Sequence, residues 1–272
     1  MIFFPACKIN LGLYVTARRP DGYHDIETVM VPVPGLCDAV EAVRQEAPCV
    51  EFTASGLPLD CPPQRNLCVR ACELMRERYG IGGVKLHIHK VIPFGAGLGG
   101  GSSDAVAVLR LMNDIYNLDL ADDALSELAA QLGSDTVFFV QNRPALATGR
   151  GEILTPTEVN LSGLWLRIVK PPLAVGTGEA YAGVAPAAPQ RPLPEILAEG
   201  VQHWRDRLKN DFEPSVFRKY PRIGAVKERL YRQGAVYASM SGSGSAVYGF
   251  FRAEPPAWTE APDDFVYDVR ME

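Results

Sequence analysis

Five of the seven residues from Gly95 to Gly101 are glycine, inside the run Pro93-Phe94-Gly95-Ala96-Gly97-Leu98-Gly99-Gly100-Gly101-Ser102-Ser103-Asp104. Glycine has no Cβ, so such a segment lets several main-chain N–H groups converge on an anion at close range and adopt dihedrals closed to other residues. The alternating pattern Lys85 to Val91 predicts a strand before the run, and Ser103 to Tyr116 predicts a helix after it. The helix contributes its unpaired first-turn amides and the positive end of its dipole. Ser102 and Ser103 carry hydroxyls that either cap the helix or meet phosphate and Mg²⁺. The chemistry this implies is the grip of a phosphate chain, and a merely flexible turn does not require this density of glycine. Gly95-x-Gly97-x-x-Gly100 also satisfies the dinucleotide fingerprint, but that fold needs the helix to lead into a second parallel strand. Here the residues from Leu120 to Leu132 predict a second helix instead. No Gly-Lys-Ser/Thr follows the glycines, which excludes a Walker-type loop.

Three other places could carry chemistry. Ser239-Met240-Ser241-Gly242-Ser243-Gly244-Ser245 is a second glycine-rich element before the apolar strand Ala246 to Phe251. Alone it reads equally as a turn; paired with the first loop, it offers further amides, with Ser241, Gly242 and Gly244 as contacts to nucleotide. Asp135 follows the helix stop Gly133-Ser134 and is able to accept a proton from an attacking hydroxyl, while the cation of Lys8 would ease that deprotonation. On pattern alone the first reading of Asp135 is a cap or turn residue, and that of Lys8 a solvated charge. His87 and His89 share one face of the strand before the loop, and Cys68 and Cys72 one face of a helix, yet neither pair has further ligands nearby. No metal-ligating set is expected.

The elements that must position these groups follow from periodicity. Ile9 to Val15 and Ile26 to Val33 read as extended segments flanking the turn signal Arg18-Arg19-Pro20-Asp21-Gly22, a hairpin-like start. Leu67, Ala71, Leu74 and Met75 form a helical stripe from Asn66 to Tyr79 that Gly80 ends. After the loop, Val106, Leu109, Met112, Ile115 and Tyr116 mark the inner face of one helix, and Leu125, Leu128, Ala129 and Leu132 that of the next, stopped by Gly133. From about Leu161 the order changes to an apolar strand (Leu164 to Val169), a proline break, a proline-rich stretch and mixed helix and strand. A domain boundary is therefore expected near 155–162, giving domains 1–157 and 158–272. With 272 residues, 47% hydrophobic and 22% charged, the chain has globular composition, and its net charge of -5 offers no basic field for nucleic acid or an anionic bilayer. The N-terminal residues lack the pattern of a secretory signal, no stretch reaches membrane-spanning length, and all six cysteines lie in the first third without a C-x-x-C pair. A cytoplasmic protein with reduced thiols is expected, a monomer or weak homodimer with a small-molecule substrate and no nucleic-acid or membrane partner.

Pro93-x-x-x-Gly97-Leu98-Gly99-Gly100-Gly101-Ser102-Ser103 together with Ser241-Gly242-Ser243-Gly244 resembles the superfamily of galactokinase, homoserine kinase, mevalonate kinase and phosphomevalonate kinase, the GHMP kinases. More narrowly, Pro5-Ala6-Cys7-Lys8-Ile9-Asn10-Leu11, Arg19-Pro20-Asp21-Gly22-Tyr23-His24, Leu132-Gly133-Ser134-Asp135 and Asn210-Asp211-Phe212-Glu213 resemble the branch that acts on 4-diphosphocytidyl-2-C-methyl-D-erythritol. The match runs in order along nearly the whole chain. The resemblance implies a two-domain α+β fold, with an N-terminal domain like the second domain of ribosomal protein S5 and a ferredoxin-like C-terminal domain. It implies ATP and Mg²⁺ as cofactors and transfer of phosphate to the substrate 2-hydroxyl. By matching motif it makes Asp135 the general base and Lys8 its partner, and assigns Pro93, Gly95, Gly97, Leu98, Gly99, Gly100, Gly101, Ser102, Ser103, Ser241, Gly242 and Gly244 to nucleotide. It places Asn10, Tyr23, His24, Thr177 and Tyr181 on the substrate, with Tyr23 and His24 at the cytosine. Two positions depart from the family pattern: Asp135-Thr136-Val137-Phe138 stands for Asp-Val-Pro-Phe, and Cys7 replaces an alanine. Other readings are a sister kinase for mevalonate, homoserine or a sugar, a non-enzymatic nucleotide-binding regulator, and a dinucleotide oxidoreductase.

Overall fold

A computed structural model describes residues 1–59, 61–259 and 261–272. The chain runs β1 (Ile2–Phe3), β2 (Ala6–Arg18), β3 (His24–Cys37), β4 (Ala39–Gln45), β5 (Val50–Gly56), α1 (Leu67–Tyr79), β6 (Gly83–Lys90), α2 (Gly100–Tyr116), α3 (Asp122–Leu132), α4 (Phe138–Gln141), β7 (Ala145–Thr148), β8 (Ile153–Pro156), β9 (Trp165–Lys170), α5 (Thr177–Ala182), α6 (Leu193–Ala198), α7 (Glu213–Lys219), α8 (Pro221–Arg232), β10 (Tyr237–Met240), β11 (Val247–Phe251) and β12 (Phe265–Arg270). It divides into two compact units that interleave along the sequence. The first comprises Met1–Cys7, Gly35–Phe94 and Gly99–Arg143; the second comprises Lys8–Pro34, Gly95–Leu98 and Pro144–Glu272.

In the first unit the sheet order is β1-β4-β6-β5, with β4 antiparallel and β5 parallel to β6. The period-two pattern of β6 turns Val84, Leu86 and Ile88 into the core and leaves His87 and His89 outward, where they bond to the hydroxyls of Thr53 and Ser55 on β5. Helix α1 begins at Asn66, whose side chain accepts from the Cys68 N–H, and ends at Gly80 in the left-handed region (φ 61°). Its stripe of Cys68, Ala71, Cys72 and Met75 is buried, and α1 packs on α2 and α3. Helix α2 is buried over almost all of Ser103 to Met112, more than the one-sided stripe predicts, because helices and the sheet edge enclose it on several sides. It also starts three residues earlier than the pattern predicts, at Gly100. The low intrinsic propensity of paired glycines is overridden there by packing of Gly100 against Ile92.

The second unit holds two four-stranded sheets, ordered β2-β3-β7-β8 and β10-β11-β9-β12. The turn predicted at Arg18–Gly22 closes with Arg19 and Tyr23 in a main-chain hydrogen bond of 2.8 Å, and β2 and β3 are neighbours, as a hairpin requires. One face of the second sheet presents Ala238, Met240, Val247 and Phe251 to a core with Ile223, Val226 and Leu230 of α8 and Val216 of α7. The opposite face carries Tyr237, Tyr248 and Phe250, stacked edgewise with Trp204. Among the described residues no helix is long and apolar enough to cross a membrane.

Candidate active site

In the first unit, the end of the glycine run becomes the N-terminus of α2. Gly99 stands at the cap position with φ 72°, and no side chain caps the helix. A left-handed cap without a side-chain acceptor leaves the first-turn amides to an external anion. An added Cβ on Gly101 would meet nothing within 4 Å, so the surface over this turn is open to close approach. Pro93 and Gly100 are buried, Gly99, Gly101 and Ser102 half-buried. The hydroxyl of Ser103, buried, donates to the Ala6 carbonyl at 2.7 Å and so fastens the start of β2 to the helix. Asp135 is half-buried in a single helical turn, Ser134–Thr136, set between α3 and α4. That turn packs against α2 and α3, so the carboxylate rides on a braced segment rather than a loose loop. Next to it Thr136 is fully buried and its hydroxyl finds no hydrogen-bond partner, a penalty the valine of the family pattern would not carry.

The residues of the second unit form one continuous hydrogen-bonded network. Strand β2 places Lys8 and Asn10 on the same face, two residues apart, both almost wholly buried. The Lys8 ammonium donates to Asn10 Oδ1 at 2.6 Å and to the Gly97 carbonyl at 3.0 Å. The Asn10 amide donates to Thr28 Oγ1 at 3.1 Å, and Thr28 in turn donates to the Gly12 carbonyl. Ser241 joins the same group: its hydroxyl donates to the Gly97 carbonyl at 2.9 Å and accepts from the Asn10 main-chain N–H at 3.3 Å. Gly97 has φ 74°, and a Cβ there would overlap the Ser241 carbonyl, so only glycine permits this approach of loop to turn. Gly95, exposed, and Gly97, half-buried, leave backbone within reach of solvent, while Leu98 is buried and accepts the Lys8 main-chain N–H at 2.9 Å. The structure thus brings Lys8, Asn10, Gly97 and Ser241 together in one hydrogen-bonded group.

Residues without an assigned role in the sequence reading hold this network up. Asn210 donates through its side-chain amide to the carbonyls of Met240 and Gly242, both at 2.8 Å, and so shapes the turn at Gly242 (φ 54°) and Gly244 (φ 85°). Glu213 accepts from the Ser239 hydroxyl and the Met240 N–H, and pairs with Lys227. Asp211 accepts from the Val15 N–H at 2.8 Å; its carboxyl is raised by burial, against the pull of that bond. The motif Asn210-Asp211-Phe212-Glu213 therefore acts as a brace between β2 and the second glycine turn. Thr28 and Tyr248, whose hydroxyl donates to the Asn10 carbonyl at 2.8 Å, complete the support.

An aromatic group lies at the start of β3. His24 stacks on Tyr181 with centroids 4.8 Å apart and planes at 16°, and Tyr181 meets Phe212 edge-on at 4.8 Å. Tyr23 is exposed and lies under the Arg150 guanidinium. Thr177 opens the short helix α5 on which Tyr181 follows one turn later, so the two share a face. Among the described residues no three His, Cys, Asp or Glu side chains come together in a way that could hold a metal ion.

The family model for the GHMP kinases N terminal domain matches residues 66–143, and that for GHMP kinases C terminal matches residues 187–267. A 4-diphosphocytidyl-2-C-methyl-D-erythritol kinase from Parabacteroides distasonis is 48% identical over 251 residues, 92% of each chain. Another, from Cytophaga hutchinsonii, is 45% identical over 96% of each chain. A crystal structure of 4-(cytidine 5'-diphospho)-2C-methyl-D-erythritol kinase superposes over the full length of both chains with a TM-score of 0.79 and 32% identity. A mevalonate kinase from Methanococcus jannaschii shares the fold alone, with a TM-score of 0.72 at 14% identity over 100% of this chain and 98% of that one. The chain belongs to the GHMP kinases and, within them, to the 4-diphosphocytidyl-2-C-methyl-D-erythritol kinase family.

Proposed function

We infer that this chain is an ATP-dependent kinase that phosphorylates the 2-hydroxyl of 4-diphosphocytidyl-2-C-methyl-D-erythritol, in the non-mevalonate route to isoprenoid precursors. The observation that carries the substrate is the stack of His24 on Tyr181, with Tyr23 one residue away. A flat aromatic platform with imidazole nitrogens beside it suits a cytosine ring, whose faces stack and whose edge needs both a donor and an acceptor. Thr177 and Tyr181 line the same pocket in this reading, and Asn10 positions the methylerythritol.

In the transfer step the Asp135 carboxylate takes the proton of the 2-hydroxyl, the oxygen forms a bond to the γ-phosphorus, and the bond to the bridging oxygen breaks to release ADP. The Lys8 cation lowers the energy of the charge that develops on the attacking oxygen. Main-chain amides from Gly95 to Ser103 and from Ser241 to Gly244 hold the phosphates. Mg²⁺ bound with ATP would supply positive charge to the phosphates during transfer. It is ordinarily held by phosphate oxygens, water and one or two carboxylates. We place the enzyme in the cytoplasm, as a monomer or weak homodimer without nucleic-acid or membrane partners. The functional domains are set at 1–157 and 158–272, a division supported by family-model limits of 66–143 and 187–267.

The test is a coupled assay offering ATP with the cytidyl substrate, mevalonate, homoserine and a hexose. Turnover of the cytidyl substrate alone, with a KM raised at least tenfold by His24→Ala, is expected. Turnover of one of the others instead assigns a sister kinase. ATP binding with no turnover of any acceptor assigns a regulator.

A further inference from the structure

Strand β6 alternates inward and outward, and its last inward position is occupied by a charge. Lys90 is buried where the register of Val84, Leu86 and Ile88 calls for an apolar side chain. Its ammonium donates to Asp38 Oδ2 and to Asp104 Oδ2, the latter at 2.7 Å, and all three side chains are at most 4% exposed. The other oxygen of Asp38 accepts from the main-chain N–H groups of Val91 (2.6 Å) and Ile92 (2.9 Å), the residues that open the glycine loop. Asp104 lies on α2, in the turn that closes the loop. Gly100 sits between them: a Cβ there would stand 2.8 Å from Ile92 Cγ2 and 3.4 Å from Lys90 Nζ. One ammonium and two carboxylates therefore tie the entry stem of the loop to its exit stem.

Burying such a group costs more than an apolar replacement of the same volume returns. What the charges supply is direction: Asp38 Oδ1 fixes the Val91 and Ile92 N–H groups, Asp38 Oδ2 and Asp104 Oδ2 fix the Lys90 ammonium, and together they set the spacing of the two stems from which the phosphate-binding amides project. We propose that Lys90, Asp38 and Asp104 are positioning residues for ATP, holding the glycine loop in its phosphate-binding shape without touching the nucleotide. This rests on the ATP-dependent kinase reading above.

The cluster also has a proton to give or take. It holds two carboxylates against one ammonium, and burial pushes the Asp104 carboxyl up to about 7, with Lys90 drawing it down and Asp38 raising it. Lys90 is raised by the two carboxylates in spite of its burial, and stays charged. The Cys68 thiol on α1, close enough for the Asp104 charge to act on it, is held well above its usual range by burial and stays neutral. Among the described residues Asp104 Oδ1 accepts no hydrogen bond, which leaves it able to take the proton. The ion-paired tie is thus complete above neutrality and weakens as pH falls through it.

The experiment measures KM for ATP and kcat, at saturating Mg²⁺ and cytidyl substrate, from pH 6 to 8.5 for the unaltered enzyme, Asp104→Asn and Lys90→Met. Shared titrations of ATP and of the catalytic groups cancel in the comparison. In the unaltered enzyme the KM for ATP is expected to rise as pH falls through 7. In Asp104→Asn it should be raised about tenfold at pH 8, the worth of one charge-assisted hydrogen bond, and stay level relative to that trend. The KM for the cytidyl substrate should stay within twofold. A KM for ATP in Asp104→Asn that tracks the unaltered enzyme at every pH, or equal losses in both KM values, overturns the proposal. Should neither variant fold, a pH-independent KM for ATP in the unaltered enzyme overturns it equally. Failure of the unaltered enzyme to use ATP refutes the kinase reading instead.

Discussion

Gly97→Ala tests the joint between loop and turn. At φ 74° an L-residue carries about 1–2 kcal/mol of strain before any contact is considered. The new methyl would overlap the Ser241 carbonyl oxygen, stand 2.9 Å from its carbon and 3.2 Å from the Gly244 nitrogen, whereas ordinary contact begins at 3.4 Å. All three are main-chain atoms, so no rotamer change relieves them, and the turn must retreat. The retreat stretches the Lys8 and Ser241 hydrogen bonds to the Gly97 carbonyl, now 3.0 and 2.9 Å. A bond from a charged donor is worth roughly 1.5–3 kcal/mol and a neutral one roughly 0.5–1.5. With partial relaxation the expected loss is about 3–4 kcal/mol, read as a fall in Tm of roughly 6–15 °C and a KM for ATP raised on the order of 100-fold. Gly101→Ala is the matched contrast: its methyl meets nothing within 4 Å and its backbone is helical, so the fold should gain about 0.5–1 kcal/mol. Any loss of ATP affinity in Gly101→Ala then reports a phosphate close to the helix start. Gly97→Ala with unchanged Tm and unchanged KM for ATP would refute the claim that this close approach shapes the site.

Three further outcomes are expected. Asp135→Asn should keep its affinity for ATP within a few-fold by calorimetry while turnover falls at least 10²-fold; near-native turnover removes Asp135 as the base. Thr136→Val replaces a buried hydroxyl that lacks a partner with an isosteric methyl and should raise stability by about 1 kcal/mol, seen as a Tm increase of a few degrees; a decrease would mean the hydroxyl is bonded after all. Burial lifts the Cys72 thiol to about 12 and the Cys68 thiol well above its usual range, so neither should react with iodoacetamide at pH 8 in the native protein, while exposed Cys49 should. Mass spectrometry of tryptic peptides with and without denaturant decides it.

The parts of the molecule legible in the sequence are those where one physical signal dominates. Glycine density located the loop, Gly80 and Asn66 bounded α1, period-two alternation located β6, and β-rich apolar runs located the middle of β2 and of β3. Strand β5 is hard to read from sequence because its apolar alternation, Val50, Phe52 and Ala54, is short and only half-buried at Val50 and Phe52; its place comes from parallel pairing with β6, a tertiary fact. Strand β4 hides its alternation because the inward positions are only Val40 and Ala42. Nothing local to Lys90 reveals that Asp38, 52 residues earlier, turns a carboxylate toward it. The acidic motif from Asn210 to Glu213 was recognisable as a resemblance, yet its bracing of β2 and of the Ser241 turn depends on partners 27 to 196 residues distant.

The interleaving of the two units bears on how the chain is made. The first compact unit has all its segments once residue 143 has been synthesised, but the second needs Lys8–Pro34 together with residues as far as the C-terminus. A nascent chain therefore carries the β2–β3 ribbon, with its apolar faces, ahead of its partners until β9 to β12 leave the ribosome, an interval in which chaperone protection would count. For the same reason a gene split at the midpoint should yield two fragments that are soluble only when co-expressed.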